Sequence, residues 1–223
     1  MHGYNCAGGR VHAANLPNDY RLITLENSPA RANQTEAYEI IDAYAETFTR
    51  MFDPDSDRIK SLYLFSRNPG TGKTTTAAAL INAWLITHYI GSVRRGRHPL
   101  ERPAYFLDVN AWQTDFNAFN RPRVPDSIAE PASERYYRAM QIASDVPFAV
   151  LDDIGVRDAS DAFRADLHAI INARVMAGLP TVYTSNIPMR ELAQVFDARL
   201  ADRIRDMCVE VVFKGESKRG MRK

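Results

Sequence analysis

Cysteine is nearly absent: only Cys6 and Cys208 occur in 223 residues, far apart along the chain. That excludes a disulfide framework and a paired-thiolate metal site, and it fits a reducing, intracellular setting. Net charge is almost absent too, since 28 Lys and Arg against 27 Asp and Glu leave +1. A chain so balanced is not a uniformly basic nucleic-acid coat, so any DNA contact has to be local. Long apolar runs are also missing. The longest, residues 77–90, is interrupted by Asn82, Thr87 and His88 and is shorter than a membrane span. Residues 1–10 are polar and glycine-bearing, without the apolar stretch of a secretory signal. There is no internal repeat and no low-complexity tract. What is present, 45% hydrophobic and 25% charged residues, is ordinary for a globular protein. The length suits one α/β domain with a short appendage.

Residues 1–33, rich in Gly, Asn and Pro, read as an irregular N-terminal arm, and residues 34–223 as the folded domain. Tyr38, Ile41, Tyr44, Ala45 and Phe48 recur at helical spacing and predict an amphipathic helix over 34–51, ended by Asp53-Pro54-Asp55. Apolar strands then alternate with helices. Strands are expected at 61–66, 104–109, 148–152, 181–184 and 209–213. Helices are expected at 72–89, at 111–145 with breaks at Pro122 and Pro125, and at 160–176, 188–196 and 199–207. Strands that are apolar throughout and separated by helices indicate a parallel sheet covered on both faces. In such a sheet ligands bind at the C-terminal strand ends.

The first strand runs into Arg67-Asn68-Pro69-Gly70-Thr71-Gly72-Lys73-Thr74-Thr75, followed by a helix. This is a phosphate-loop pattern in its proper strand–loop–helix context. Gly70 and Gly72 permit a tight backbone turn close to an anion. Successive N–H groups and the helix N-terminus then cradle phosphate. Asn68 to Thr75 are the candidate nucleotide contacts, with Lys73 on the β- and γ-phosphates and the Thr74 hydroxyl on Mg²⁺. Arg67 replaces the first glycine of the pattern. A side chain there is tolerable only if the backbone does not need a positive φ.

Asp152 and Asp153 end the third strand. Such a pair is often a turn or a helix cap. Downstream of a phosphate loop it reads as the second half of the site, Asp152 orienting Mg²⁺ and Asp153 polarising the attacking water. An Asp at the second position, shorter than Glu, predicts slow hydrolysis. Asn186, after the fourth strand, is either a helix cap before Pro188 or a group bonded to the γ-phosphate. Arg199 and Arg203 share a helical face. They are either solvated, with Asp202 as a partner, or offered to a neighbouring subunit's γ-phosphate. His2, Cys6 and His12 are too scattered for a metal site.

The runs FSRNPGTGKT, LDDIG, YTSN, RLADRI and the terminal GESKR, in that order, resemble the DnaC/DnaI helicase-loader ATPases and their relatives, the IstB transposition ATPases. The resemblance extends from about residue 16 to the C-terminus. It implies a P-loop NTPase fold of the AAA+ type, a central parallel sheet flanked by helices without a C-terminal helical lid. By position it implies Asn186 as the first sensor, Arg203 as an arginine finger acting in the adjacent subunit, and Arg219 as a second sensor on ATP in its own subunit. It further implies a helical or open-ring homo-oligomer, binding of single-stranded DNA, and loading of the replicative hexameric helicase. Loaders of this type carry a separate N-terminal domain that grips the helicase. Only the arm precedes the ATPase region here, as in a short, phage-encoded loader or a fragment.

Two other functions fit the same motifs: a transposition helper that engages a transposase on double-stranded DNA, and a nucleotide-gated binding module with little turnover. Candidate DNA contacts are Arg94, Arg95, Arg97 and His98 after the phosphate-loop helix, and Arg121 and Arg123 around a proline turn. Trp112, Phe116 and Phe119 near the second group are spaced for core packing rather than for base stacking. Lys214 belongs to a basic C-terminal run whose last members, Arg222 and Lys223, read as a solvated end.

Overall fold

A computed structural model describes residues 1–3, 8–155, 159–194 and 196–217. Cys6 and Arg219, with Lys218, Arg222 and Lys223, lie outside these described residues.

Five parallel strands form one sheet in the order β2-β3-β4-β1-β5. They are β1 (Ser61–Phe65), β2 (Ala104–Asp108), β3 (Phe148–Asp152), β4 (Thr181–Ser185) and β5 (Cys208–Val212). The helices are α1 (Gly9–Ala13), α2 (Thr35–Glu46), α3 (Lys73–Arg94), α4 (Val109–Asn120), α5 (Asp126–Asp145), α6 (Asp161–Ala177) and α7 (Ala198–Met207). Alternate side chains of each strand enter opposite cores, as the two-residue period of a strand requires. Leu62, Leu64, Phe106, Phe148 and Val150 pack beneath α3 and α2. Tyr63, Tyr105, Leu107, Ala149 and Leu151 pack beneath α4, α5, α6 and α7. Trp84 of α3 stacks on Phe148 with ring centroids 4.6 Å apart. Trp112 of α4 stacks on Tyr136 of α5 at 4.5 Å.

The helix ends follow local chemistry. Asp108 caps α4 through the Ala111 amide, Ser160 caps α6 through the Phe163 amide, and Asp197 caps α7. Helix α6 stops at Gly178 in a left-handed conformation. The break expected at Pro122 and Pro125 separates α4 from α5. Two expected helices are shorter or tighter than their periodicity suggests. Residues 47–52 and 189–194 form 3₁₀ turns, so the stretch 34–51 holds a three-turn α-helix and then tightens. Near-side burial of Phe48 and Leu192 supplies the same apolar spacing in either geometry.

Arg174 of α6 is fully buried. Its guanidinium donates to the Ala143 and Val146 carbonyls (both 2.8 Å), the Pro180 carbonyl (2.9 Å) and Thr181 Oγ1 (2.7 Å). It ties the end of α5 to the start of β4. Burial lowers its pKa to about 10, with Asp145 among the groups opposing the shift.

The arm is not an appendage. Val11, Ala14 and Leu16 are buried in the α3-side core. The Phe106 amide donates to the Ala14 carbonyl at 2.8 Å, and Asn15 Nδ2 donates to the Phe106 carbonyl at 3.0 Å. These bonds occupy the free edge of β2, which would otherwise present unpaired backbone groups. Asn82 of α3 reaches the carbonyls of Tyr20, Arg21 and Ile23. Among the described residues, no helix is long and apolar enough to cross a membrane.

Candidate functional site

At the C-terminal edge of the sheet, β1 ends against β4 on one side and β5 on the other, while Asp108 of β2 pairs in register with Asp152 of β3. This convergence opens a cavity of about 700 Å³. The phosphate loop from Pro69 to Thr75, Asp152, Asp153, Thr184 and Asn186 all line it.

The loop adopts the geometry its glycines permit, Gly70 at φ 73° and Gly72 at φ 105°. A Cβ on Gly72 would stand 2.4 Å from the Ala30 Cβ, so the arm presses on the loop where a side chain has no room. Arg67 does not have a positive φ, so its side chain replaces the first glycine without backbone strain. Asn68 is absent from the cavity wall; its Nδ2 donates to the Gly215 carbonyl at 2.9 Å and anchors the loop to the segment after β5. Lys73, only 8% exposed, donates from Nζ to Asn186 Oδ1 at 2.7 Å. This contact requires β4 beside β1, and that adjacency is the reason Asn186 reaches the loop at all.

The carboxylates are held from two sides. Thr74 Oγ1 donates to Asp152 Oδ2 at 3.1 Å, and Thr184 Oγ1 donates to Asp152 Oδ1 at 2.7 Å. Burial pushes the Asp152 carboxyl up to about 6, against the two hydroxyl bonds that favour its charged form, with Asp108 and Asp153 adding like charge. The Asp152 carboxylate beside the Thr74 hydroxyl offers oxygen ligands of the kind a hard divalent cation takes, while among the described residues no group of three or more His, Cys, Asp or Glu could hold a metal ion by itself. Asp153 has φ 62°, its amide donates to Thr184 Oγ1 at 2.8 Å, and its Oδ2 accepts from Asn110 Nδ2 at 2.9 Å. The left-handed backbone turns the Asp153 side chain away from the strand direction and toward α4.

Several cavity residues are invisible to motif reading. Thr184 on β4 and Asn110 in the first turn of α4 belong to elements beside β3 and become relevant only once the strand order is known. Pro17, Tyr20, Ala30 and Asn33 bring the arm into the wall, Gln34 the start of α2, and Lys214, Gly215 and Glu216 the segment after β5. Gln34 joins them: Nε2 donates to the Thr71 carbonyl at 3.3 Å and the Lys214 carbonyl at 2.7 Å, and Oε1 accepts from the Lys214 amide at 3.1 Å. Arg203 and Arg199, exposed on α7, are not among the residues lining the cavity.

Residues 128–223 match the family model of IstB-like ATP binding proteins. Three solved structures share the fold over nearly the whole chain. DnaI is 20% identical, with 92% of this chain and 94% of that one covered at a TM-score of 0.60. The DnaC helicase loader is 21% identical, with 89% and 100% covered at 0.60. A protein of Streptococcus pyogenes serotype M3, described as a primosome component, is 23% identical, with 94% and 97% covered at 0.58. Over residues 128–223 the chain is similar to IstB-like ATP binding proteins, and its fold is that of the DnaI and DnaC structures. No curated protein matches the sequence. The matched stretch 128–223 holds Asp152, Asp153, Thr184, Asn186 and Arg203, whereas the phosphate loop precedes it. The two halves of the candidate site thus rest on separate grounds, a matched family stretch and the geometry of the loop.

Proposed function

We propose that the protein is a slow ATPase that acts as a DNA-replication factor, loading a replicative hexameric helicase onto single-stranded DNA. The observation that carries the reading is the meeting of Lys73 with Asn186 and of Thr74 with Asp152 at one cavity. In this reading the amides around Gly70–Thr74 grip the triphosphate, and Lys73 neutralises its β- and γ-oxygens. Thr74 and Asp152 would hold a Mg²⁺, which would supply charge neutralisation at the phosphates. Asp153 orients the attacking water, and Asn110 and the Thr184 hydroxyl hold Asp153 in place. Asn186 polarises the γ-phosphate or that water. Arg203 completes the site of the adjacent subunit in a helical or open-ring homo-oligomer, and Arg219 contacts ATP in its own. Asn68 secures the loop rather than the nucleotide.

Contact with DNA is assigned to local basic groups. Arg121 and Arg123 lie in the turn between α4 and α5, Arg94 ends α3, and Arg95, Arg97 and His98 follow it, all exposed. Trp112 and Phe116 are buried and cannot stack on bases. Tyr137, 58% exposed and beside Phe119, is the aromatic group available near the first of these patches.

The IstB-like match over 128–223 favours a second reading, a transposition helper that engages a transposase. Co-purification with a replicative helicase and with a transposase, each in ATP and in ADP, separates the two. Retention of the helicase in one nucleotide state supports loading; retention of the transposase alone overturns it. Steady-state turnover with and without single-stranded DNA tests the ATPase claim.

A further inference from the structure

Helix α7 is fastened to α6 at two points. His168 Nε2 lies 2.6 Å from Asp197 Oδ2. The other oxygen of Asp197 caps α7, accepting from the Arg199 and Leu200 amides at 2.9 Å each. One turn further along α6, Asn172 Oδ1 accepts from Arg203 Nη1. His168 and Asn172 are four residues apart and share one face of the helix. The amide of Asn172 is oriented, because its Nδ2 faces Met176 Sδ at 3.5 Å and leaves the oxygen for the guanidinium. Beneath these contacts α7 rests on buried Leu200, Ala201 and Ile204. The apolar seat fixes the helix; the polar contacts decide where its arginine lies. Arg203 therefore lies against its own subunit's α6.

We propose that Asn172 is a positioning residue that parks Arg203 on its own subunit, so that assembly must exchange this contact for the neighbouring γ-phosphate. The inference rests on the reading of Arg203 as an arginine acting in trans. A neutral amide at an exposed position holds a guanidinium weakly, and a triphosphate displaces it. A carboxylate in the same place would hold the guanidinium through two charge-assisted bonds. Asn172 thus tunes how readily subunits become productive, while the His168–Asp197 contact keeps the start of α7 in register during the exchange.

The test compares Asn172→Ala and Asn172→Asp with the unaltered chain, each also in an Arg203→Ala background. Turnover and ATP-dependent oligomer mass by sedimentation are followed against protein concentration. Asn172→Ala should lower the half-maximal concentration roughly two- to fivefold with kcat at the plateau unchanged, the size of one exposed hydrogen bond. Asn172→Asp should raise it at least about fivefold, as expected of a charge-assisted pair. Neither shift should survive in the Arg203→Ala background. Equal shifts in that background, or an Asn172→Asp curve that overlays the wild type while Arg203→Ala abolishes turnover, overturn the parking role alone. Arg203→Ala with wild-type turnover overturns the trans-arginine reading and the parking with it.

Discussion

Thr184 and Asp152 share a hydroxyl bond that organises both carboxylates of the site. Thr184 Oγ1 donates to Asp152 Oδ1 at 2.7 Å and accepts from the Asp153 amide at 2.8 Å. One small side chain on β4 therefore fixes the acidic end of β3. Thr184→Val keeps the shape and removes the hydroxyl. It is expected to lower kcat about tenfold or more while the protein stays folded, since a buried carboxylate and an amide each lose a partner. Turnover within twofold of wild type would show that the carboxylates are placed without it.

Asp152 carries a pH signature. Its folded pKa, about 6, lies above the ordinary value of 3.8. The folded state therefore holds this proton more tightly than the unfolded chain does. Stability of the nucleotide-free protein falls as pH rises from about 4 to 6 and is level above that. The change is on the order of 2–3 kcal/mol. Asp152→Asn should flatten this slope and raise the neutral-pH melting temperature without nucleotide. The same substitution should abolish Mg²⁺-dependent gain in ATP affinity. Chemical denaturation at a series of pH values, with and without ATP–Mg²⁺, measures both.

Gly72 is constrained twice, by φ 105° and by Ala30 against its missing side chain. Gly72→Ala is expected to cost about 1–3 kcal/mol of stability. It should weaken nucleotide binding as well, because the loop cannot keep its curvature. Ala30→Gly should recover part of the loss, since it removes the clash and leaves the backbone strain. A double-mutant comparison by thermal melting and nucleotide titration reads the recovery.

Arg174 serves the fold and not the chemistry. Arg174→Lys offers three donors on one nitrogen where a planar fork spans four acceptors on two segments. The expected cost is roughly 3 kcal/mol, the price of leaving buried carbonyls unpaired. Turnover per folded molecule should be unchanged. Urea unfolding together with activity at low temperature separates the two effects.

The sheet and its covering helices were legible because β1 to β4 are buried on both faces and the apolar residues of helices such as α2 and α6 recur at helical spacing. The loop Gly70–Thr74 and the Asp152–Asp153 pair were legible because backbone chemistry restricts what can stand there. The arm was not. Beyond the apolar seat of Val11, Ala14 and Leu16, its contacts are isolated bonds, Ala14 and Asn15 to Phe106 of β2 and Asn82 to residues 20–23, across up to 91 positions. No periodicity records such bonds. Asn110 and Thr184 were hidden for a related reason. Their roles follow from β2-β3-β4 adjacency, which local sequence does not encode. The tight turns at 47–52 and 189–194 escaped because an apolar residue every third or fourth position suits α and 3₁₀ geometry alike.

The central claim is that the amides of Gly70–Thr74, with Lys73, Thr74 and Asp152, bind ATP together with Mg²⁺. Calorimetric titration of ATP into the folded protein, with Mg²⁺ and with EDTA, tests it most directly when repeated on Lys73→Ala. The account predicts saturable, Mg²⁺-dependent binding that weakens at least about tenfold in Lys73→Ala, the loss expected when a charge-assisted phosphate contact is removed. No heat of binding in the wild type, or identical isotherms for both proteins, would contradict it.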